Sequence, residues 1–139
     1  MINCGLMKFK EYKSSKYGNL VPIEGGIDIP FSIKRIYYIF DVDKDVERGF
    51  HAHRKLHQIL ICMKGNVKIK LKNYQEEVEE IKLNNPSLGL YIGPMIWREM
   101  CDFSEDCVLL VLASDYYDEN DYIRNYDFYL KEVKEKYNN

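Results

Sequence analysis

Residues 49–65 read GFHAHRKLHQILICMKG and hold all three histidines of the chain, His51, His53 and His57. The run is rich in apolar residues and closes on Lys64-Gly65-Asn66, a tight-turn signal. On a strand, successive side chains point to opposite faces, so His51 and His53 share one face. Two imidazoles on the inner face of a barrel can bind a metal, move a proton or hydrogen-bond within a core. Working outward, VKIKL at 67–71 alternates apolar residues with lysine, the pattern of a strand with one solvated face. IKRIYYIF at 33–40 is β-branched and aromatic, and strand-like runs recur at 78–83, 88–92, 98–103 and 108–114. Residues 6–12 and 18–24 read as two further short strands, broken from the rest by Gly25-Gly26 and Pro30. Eight to ten short strands at this spacing predict an all-β antiparallel sandwich or barrel. The stretch 121–137 differs, because Ile123, Tyr126, Leu130, Val133 and Tyr137 recur at helical spacing and lysines fill the last turns. One C-terminal α-helix is expected there.

The chain has 139 residues, which predicts a single domain over 1–139. Hydrophobic residues are 46% and charged residues 30%, the balance of a globular chain rather than a disordered one. Twenty Lys and Arg against 22 Asp and Glu leave a net charge of −2, which argues against nucleic acid or a membrane surface as partner. No apolar run approaches the roughly 18 residues of a membrane span, and residues 1–10 lack the apolar core of a signal peptide. Cys4, Cys62, Cys101 and Cys107 show no paired spacing and read as reduced residues of a cytoplasmic protein. Twelve tyrosines are enough to line a wet cavity as well as to fill a core.

Gly49-x-His51-x-His53, then His57 and Gly65, resembles the first motif of the cupins, a jelly-roll-like antiparallel β-barrel family. In metal-binding cupins that motif supplies two histidines and a glutamate, and a second motif supplies another histidine. Here His57 stands at the glutamate position and Arg98 at the second-motif histidine. A guanidinium has no lone pair to offer a metal and repels a cation. No metal and no cofactor are therefore expected, and the histidine pair reads as acid/base machinery.

Four longer blocks resemble a narrower family, the nucleotide-sugar 3,4-ketoisomerases that act on dTDP-4-keto-6-deoxyglucose. They are PFSIKRIYYIF at 30–40, RGFHAHRKLHQILIC at 48–62, GLYIGPMIWREM at 89–100 and CVLLVLASDYYDENDYIRNYD at 107–127, with KYGNL at 16–20 beside them. The resemblance implies a metal-free cupin homodimer, with strand exchange at the N-terminus expected by fold analogy, that moves a ketone from C4 to C3 of the sugar through an enediolate. By that resemblance His51 is the base, His53 its partner in proton relay or orientation, and Tyr37 a donor to the substrate oxygen. Arg35, which shares the face of Tyr37, Arg48, Tyr17 and Arg98 are expected to bind the substrate, with Arg48 placed to hold the diphosphate or the enediolate. Three of these have a plain alternative: a core hydrogen bond for His53, packing for Tyr37, a surface ion pair for Arg48. Tyr17 and Arg98 match the members whose product keeps the glucose configuration at C4, and the galactose-configured members resemble an Arg/His combination there. Asp115, Tyr116, Tyr117 and Asp118 are shared with the family without a separable role, and His57 reads as structural. The implied setting is deoxysugar biosynthesis for lipopolysaccharide or S-layer glycan. The rival readings are a 3,5-epimerase on the same substrate, a metal-dependent cupin oxygenase, disfavoured by Arg98, and a non-catalytic nucleotide-sugar sensor.

Overall fold

The computed structural model describes residues 1 and 3–137. Its strands form two five-stranded antiparallel sheets. The first runs β1 (Cys4–Lys8), β7 (Leu88–Ile92), β4 (Gln58–Lys64), β9 (Val108–Ala113), β2 (Arg35–Phe40). The second runs β10 (Tyr122–Ile123), β3 (Arg48–His53), β8 (Trp97–Cys101), β5 (Val67–Lys72), β6 (Val78–Leu83). This is the all-β jelly-roll-like architecture expected of a cupin, with one helix, α1 (Tyr126–Tyr137), at the C-terminus. No described helix is long and apolar enough to cross a membrane.

The alternation in β5 sends Val67, Ile69 and Leu71 into the space between the sheets, where Leu60, Cys62, Leu90, Ile92, Leu109 and Val111 meet them. Strand β4 is buried on both faces, which explains its unbroken QILIC run. Its inner face joins that core, and its outer residues Ile59 and Ile61 lie with Phe9, Ile29 and Leu112 under the N-terminal segment. Helix α1 covers the second sheet, packing Tyr129 and Val133 onto Ala52, Met95, Trp97 and Ile123. The Tyr129 hydroxyl meets the carbonyls of Met95 (2.9 Å) and Lys72 (3.1 Å), and Arg54 grips Glu132 at 3.0 Å. All four cysteines are free thiols.

Two local expectations are corrected. The helix begins at Tyr126, not at 121. Asn125 caps it, its side-chain oxygen accepting from the Phe128 amide at 3.1 Å. Residues 119–121 form a short 3₁₀ turn, and Tyr122 and Ile123 pair with His53 and Ala52 of β3. Upstream, β1 ends at Lys8 and no strand forms over 18–24. Tyr12 and Leu20 instead make an isolated two-bond bridge that closes a loop, and Val21 and Ile23 pack on the first sheet.

Candidate active site

The mouth of the sandwich lies between β2, at the edge of the first sheet, and β3 with β10, at the edge of the second. A cleft of about 420 Å³ opens there, walled by Arg35, Tyr37, Arg48, His51, Tyr122 and Arg124 among others. A second hollow of about 210 Å³ shares Arg35 and Tyr122 and reaches His53 and Asp121.

A bulge aims the histidines. The pairing of β3 with β8 shifts register between Gly49 and His51, and Gly49 and Phe50 both have positive φ (92° and 56°). A Cβ on Gly49 would sit 3.0 Å from the Arg98 carbonyl oxygen, so both the turn and the close approach call for glycine here. Beyond the bulge His51 and His53 face inward, 4.9 Å apart between ring centres, with Ala52 pointing out beneath α1. Tyr122 covers both rings at 5.0 and 4.3 Å.

His53 Nδ1 lies 3.2 Å from the Asp121 carboxylate, which also accepts from the Lys55 amide at 2.8 Å. The carboxylate favours a proton on Nδ1 and so leaves Nε2 with its lone pair. That Nε2, and His51 Nδ1, are buried without a hydrogen-bond partner among the described residues. Both imidazoles are pushed toward the neutral form. Burial first, then the Arg98 cation, lowers His51 to about 3 and pushes His53 down as well. At the floor Arg98 stands directly opposite His51 across the strand pair and is 1% exposed. Its Nη1 donates to the Gln58 side-chain oxygen and its Nη2 to the Ile96 carbonyl at 3.1 Å. Gln58 Nε2 in turn donates to the Tyr37 hydroxyl at 3.1 Å. Burial lowers Arg98 to about 10, which leaves it charged. Two imidazoles facing a guanidinium do not make a metal-binding donor set.

At the rim, Arg35 lies over the rings of Tyr37 (5.5 Å) and Tyr117 (5.6 Å). Arg124 lies 4.1 Å over Tyr122 and is held by Glu119 through bonds of 2.7 and 3.0 Å. Three arginines, Arg35, Arg48 and Arg124, thus line the cleft beside the imidazoles. Of the residues singled out in the sequence, His51, His53, Tyr37, Arg35, Arg48 and Arg98 come together here. Tyr17 does not. It is 84% exposed on the turn after Ser14, beside Lys16. His57 lies away from the cleft, its Nδ1 2.7 Å from the Tyr91 hydroxyl. Gln58, Asp121, Tyr122 and Arg124 join the site without having been singled out, although Gln58 adjoins His57 and the other three lie within the 107–127 block.

The fold is that of a cupin-like protein, and the relatives it resembles make it an isomerase. The chain belongs to the FdtA family (WxcM-like, C-terminal), whose profile matches residues 2–134. It is 52% identical over 128 residues to the TDP-4-oxo-6-deoxy-alpha-D-glucose-3,4-oxoisomerase of Aneurinibacillus thermoaerophilus, covering 92% of this chain and 91% of that one. The crystal structure of QdtA, a sugar 3,4-ketoisomerase from Thermoanaerobacterium thermosaccharolyticum in complex with TDP, superimposes with a TM-score of 0.94 at 64% identity, covering 99% of this chain and 98% of that one. The TDP-quinovose 3,4-ketoisomerase WlaRB of Campylobacter jejuni is 46% identical with a TM-score of 0.89, over 94% of this chain and 99% of its own.

Proposed function

We propose that the chain is a TDP-sugar 3,4-ketoisomerase that converts dTDP-4-keto-6-deoxyglucose to dTDP-3-keto-6-deoxyglucose. The observation that carries this reading is the pair of buried, neutral imidazoles with unpartnered nitrogens, set among cations at a cleft mouth. The named activities of the relatives supply the substrate class.

In the proposed reaction His51 takes the C3 proton. The C3–H electron pair becomes the C3=C4 bond and charge moves onto O4, where the Tyr37 hydroxyl donates a hydrogen bond. The O3 proton passes to O4, and the imidazolium pair returns a proton to C4, leaving the ketone at C3. Asp121 fixes the tautomer of His53 within that pair. Arg35, Arg48 and Arg124 receive the diphosphate. Its negative charge opposes the effect of Arg98 and raises the basicity of His51 when substrate is bound. No metal or cofactor enters the scheme.

The glucose configuration is proposed from Tyr17 and Arg98. Tyr17 reaches a cleft only through a second copy or a movement of its loop, which fits a homodimer. Outward-facing Ile36, Tyr38 and Phe40 of β2, 55–62% exposed, offer an apolar surface for one. In the single chain β1 pairs with its own β7, and an exchanged β1 would keep the same register. The proposed setting is deoxysugar biosynthesis for a surface glycan.

Proton NMR of the protein with dTDP-4-keto-6-deoxyglucose in deuterated buffer, chelator present, tests the reading. A 3-keto species carrying deuterium at C4 is expected, with couplings that give its configuration. An unchanged spectrum removes the activity, and deuterium at C5 transfers the reading to a 3,5-epimerase.

A further inference from the structure

Arg98 lies at the floor, reaching the cleft only through its neighbours. Its two bonded nitrogens go to the Ile96 carbonyl and the Gln58 amide oxygen. A guanidinium carries only donors, so it fixes which way the Gln58 amide faces: oxygen toward Arg98, NH₂ toward Tyr37. The amide nitrogen is 3.1 Å from the Tyr37 oxygen. That oxygen is therefore an acceptor on its inner side, and its own hydrogen must point elsewhere. The open side is the cleft that Tyr37 lines. Arg98 and Gln58 are each 1% exposed, so water does not scramble the chain of donors.

We propose that Gln58 is a positioning residue that transmits the donor-only character of Arg98 to Tyr37, holding the Tyr37 hydroxyl as a hydrogen-bond donor to the substrate oxygen. The polarity runs one way, from guanidinium to amide to phenol to cleft. It makes Arg98 a determinant of the reaction without contact with the sugar. A neutral histidine at position 98 offers a lone pair as well as a donor. The Gln58 amide is then free to turn over, and the Tyr37 hydroxyl is no longer held to a single direction. This inference rests on the proposed ketoisomerase reaction.

The decisive substitution is Gln58→Glu. A carboxylate accepts from Arg98 and from Tyr37 alike, and so draws the phenolic hydrogen inward. Turnover of dTDP-4-keto-6-deoxyglucose by NMR is expected to fall about 10²-fold in kcat, with KM within about threefold of the parent, as for loss of one oxyanion donor. Tyr37→Phe is expected to lose a similar factor. In the Tyr37→Phe background, Gln58→Glu should cost no more than about twofold further, because the group it acts through is gone. Losses that multiply in the double variant, or near-parental kcat in Gln58→Glu, overturn the relay. Should Gln58→Glu fail to fold, Gln58→Met keeps the volume and unpins the hydroxyl. It should lose about tenfold in kcat, again only while Tyr37 is present. A parent protein with no turnover removes the reaction itself, and that outcome is distinct from an active parent with an additive cycle.

Discussion

Gln58 and Leu60 sit two residues apart on the same inner face of β4, each 1% exposed, and in opposite chemistry. Leu60 belongs to the apolar cluster with Leu90, Leu109 and Val111. Gln58, about 7 Å nearer the mouth, bonds a guanidinium and a phenol. Burial does not distinguish the two positions; their partners do. The dry end follows the rule that apolar area removed from water stabilises, at roughly 25 cal/mol per Å². The polar end, no less buried, breaks it. Arg98 is a buried cation whose hydrogen-bond partners among the described residues are an amide and a carbonyl, not a carboxylate. Such a charge is unfavourable for folding. The two ends of one interior therefore divide stability from chemistry.

The largest expected effect is at the polar end. His51→Asn should cut ketoisomerase turnover by about 10³-fold, within the range for removal of a general base, and leave the thermal midpoint near the parent. Leu60→Ala should do the reverse, losing about 2–5 kcal/mol in urea unfolding while kcat at low temperature stays within a few-fold. A large loss of kcat in Leu60→Ala under folding conditions would break the division. Arg98→Met sharpens it further. Removing an uncompensated buried cation should hold or raise stability by about 1–2 kcal/mol, with kcat down about 10²-fold. A variant that is both inactive and much less stable would mean that Arg98 serves the fold after all.

The dry end was legible in the sequence and the polar end only partly. The strands at 78–83 and 88–92 match β6 and β7 residue for residue, because alternation and turn residues are local signals. The helix start was misread for a local reason too. Ile123 falls at helical spacing from Tyr126 and Leu130, but it pairs with Ala52 in a strand, and the cap that starts the helix is Asn125. His51 and His53 announce themselves by spacing on one strand. Gln58 and Asp121 cannot, since their partners lie 40 residues away at Arg98 and 68 away at His53. Polar residues in strand-like or helix-like runs read as surface until the fold brings a partner to them. Tyr17 was singled out by family resemblance alone, and within one chain it stays on an exposed turn.

A smaller effect concerns which product forms. Tyr17→Arg combined with Arg98→His should shift the product toward the galactose-configured epimer, by about tenfold in ratio, equivalent to about 1.4 kcal/mol between two transition states. The C4 couplings in the product NMR spectrum report it. The single Arg98→His variant separates the buried floor from the exposed turn. If it alone moves the ratio, the face of reprotonation is decided inside the cleft. An unchanged ratio in the double variant would refute the two-residue account.

An effect of similar size lies in the pH dependence, and it distinguishes the two ends without any substrate. His51 is held at about 3 in the folded protein, by burial and then by Arg98, whereas an unfolded histidine titrates near 6.5. Below pH 6.5 the unfolded chain takes up a proton that the folded chain refuses, so stability falls as the pH falls toward 3. Above pH 6.5 both states are neutral at this position and the contribution vanishes. One such histidine adds at most about 1.4 kcal/mol per pH unit. His53 is shifted in the same direction and steepens the slope. Urea unfolding at pH 5 and pH 6.5 should therefore show His51→Asn gaining about 1–2 kcal/mol relative to the parent at the lower pH. Leu60→Ala removes no proton site, so its deficit should be the same at both. A pH-independent difference for His51→Asn would mean that the folded cleft admits a proton readily, and with it the argument for a neutral base poised among cations would fall.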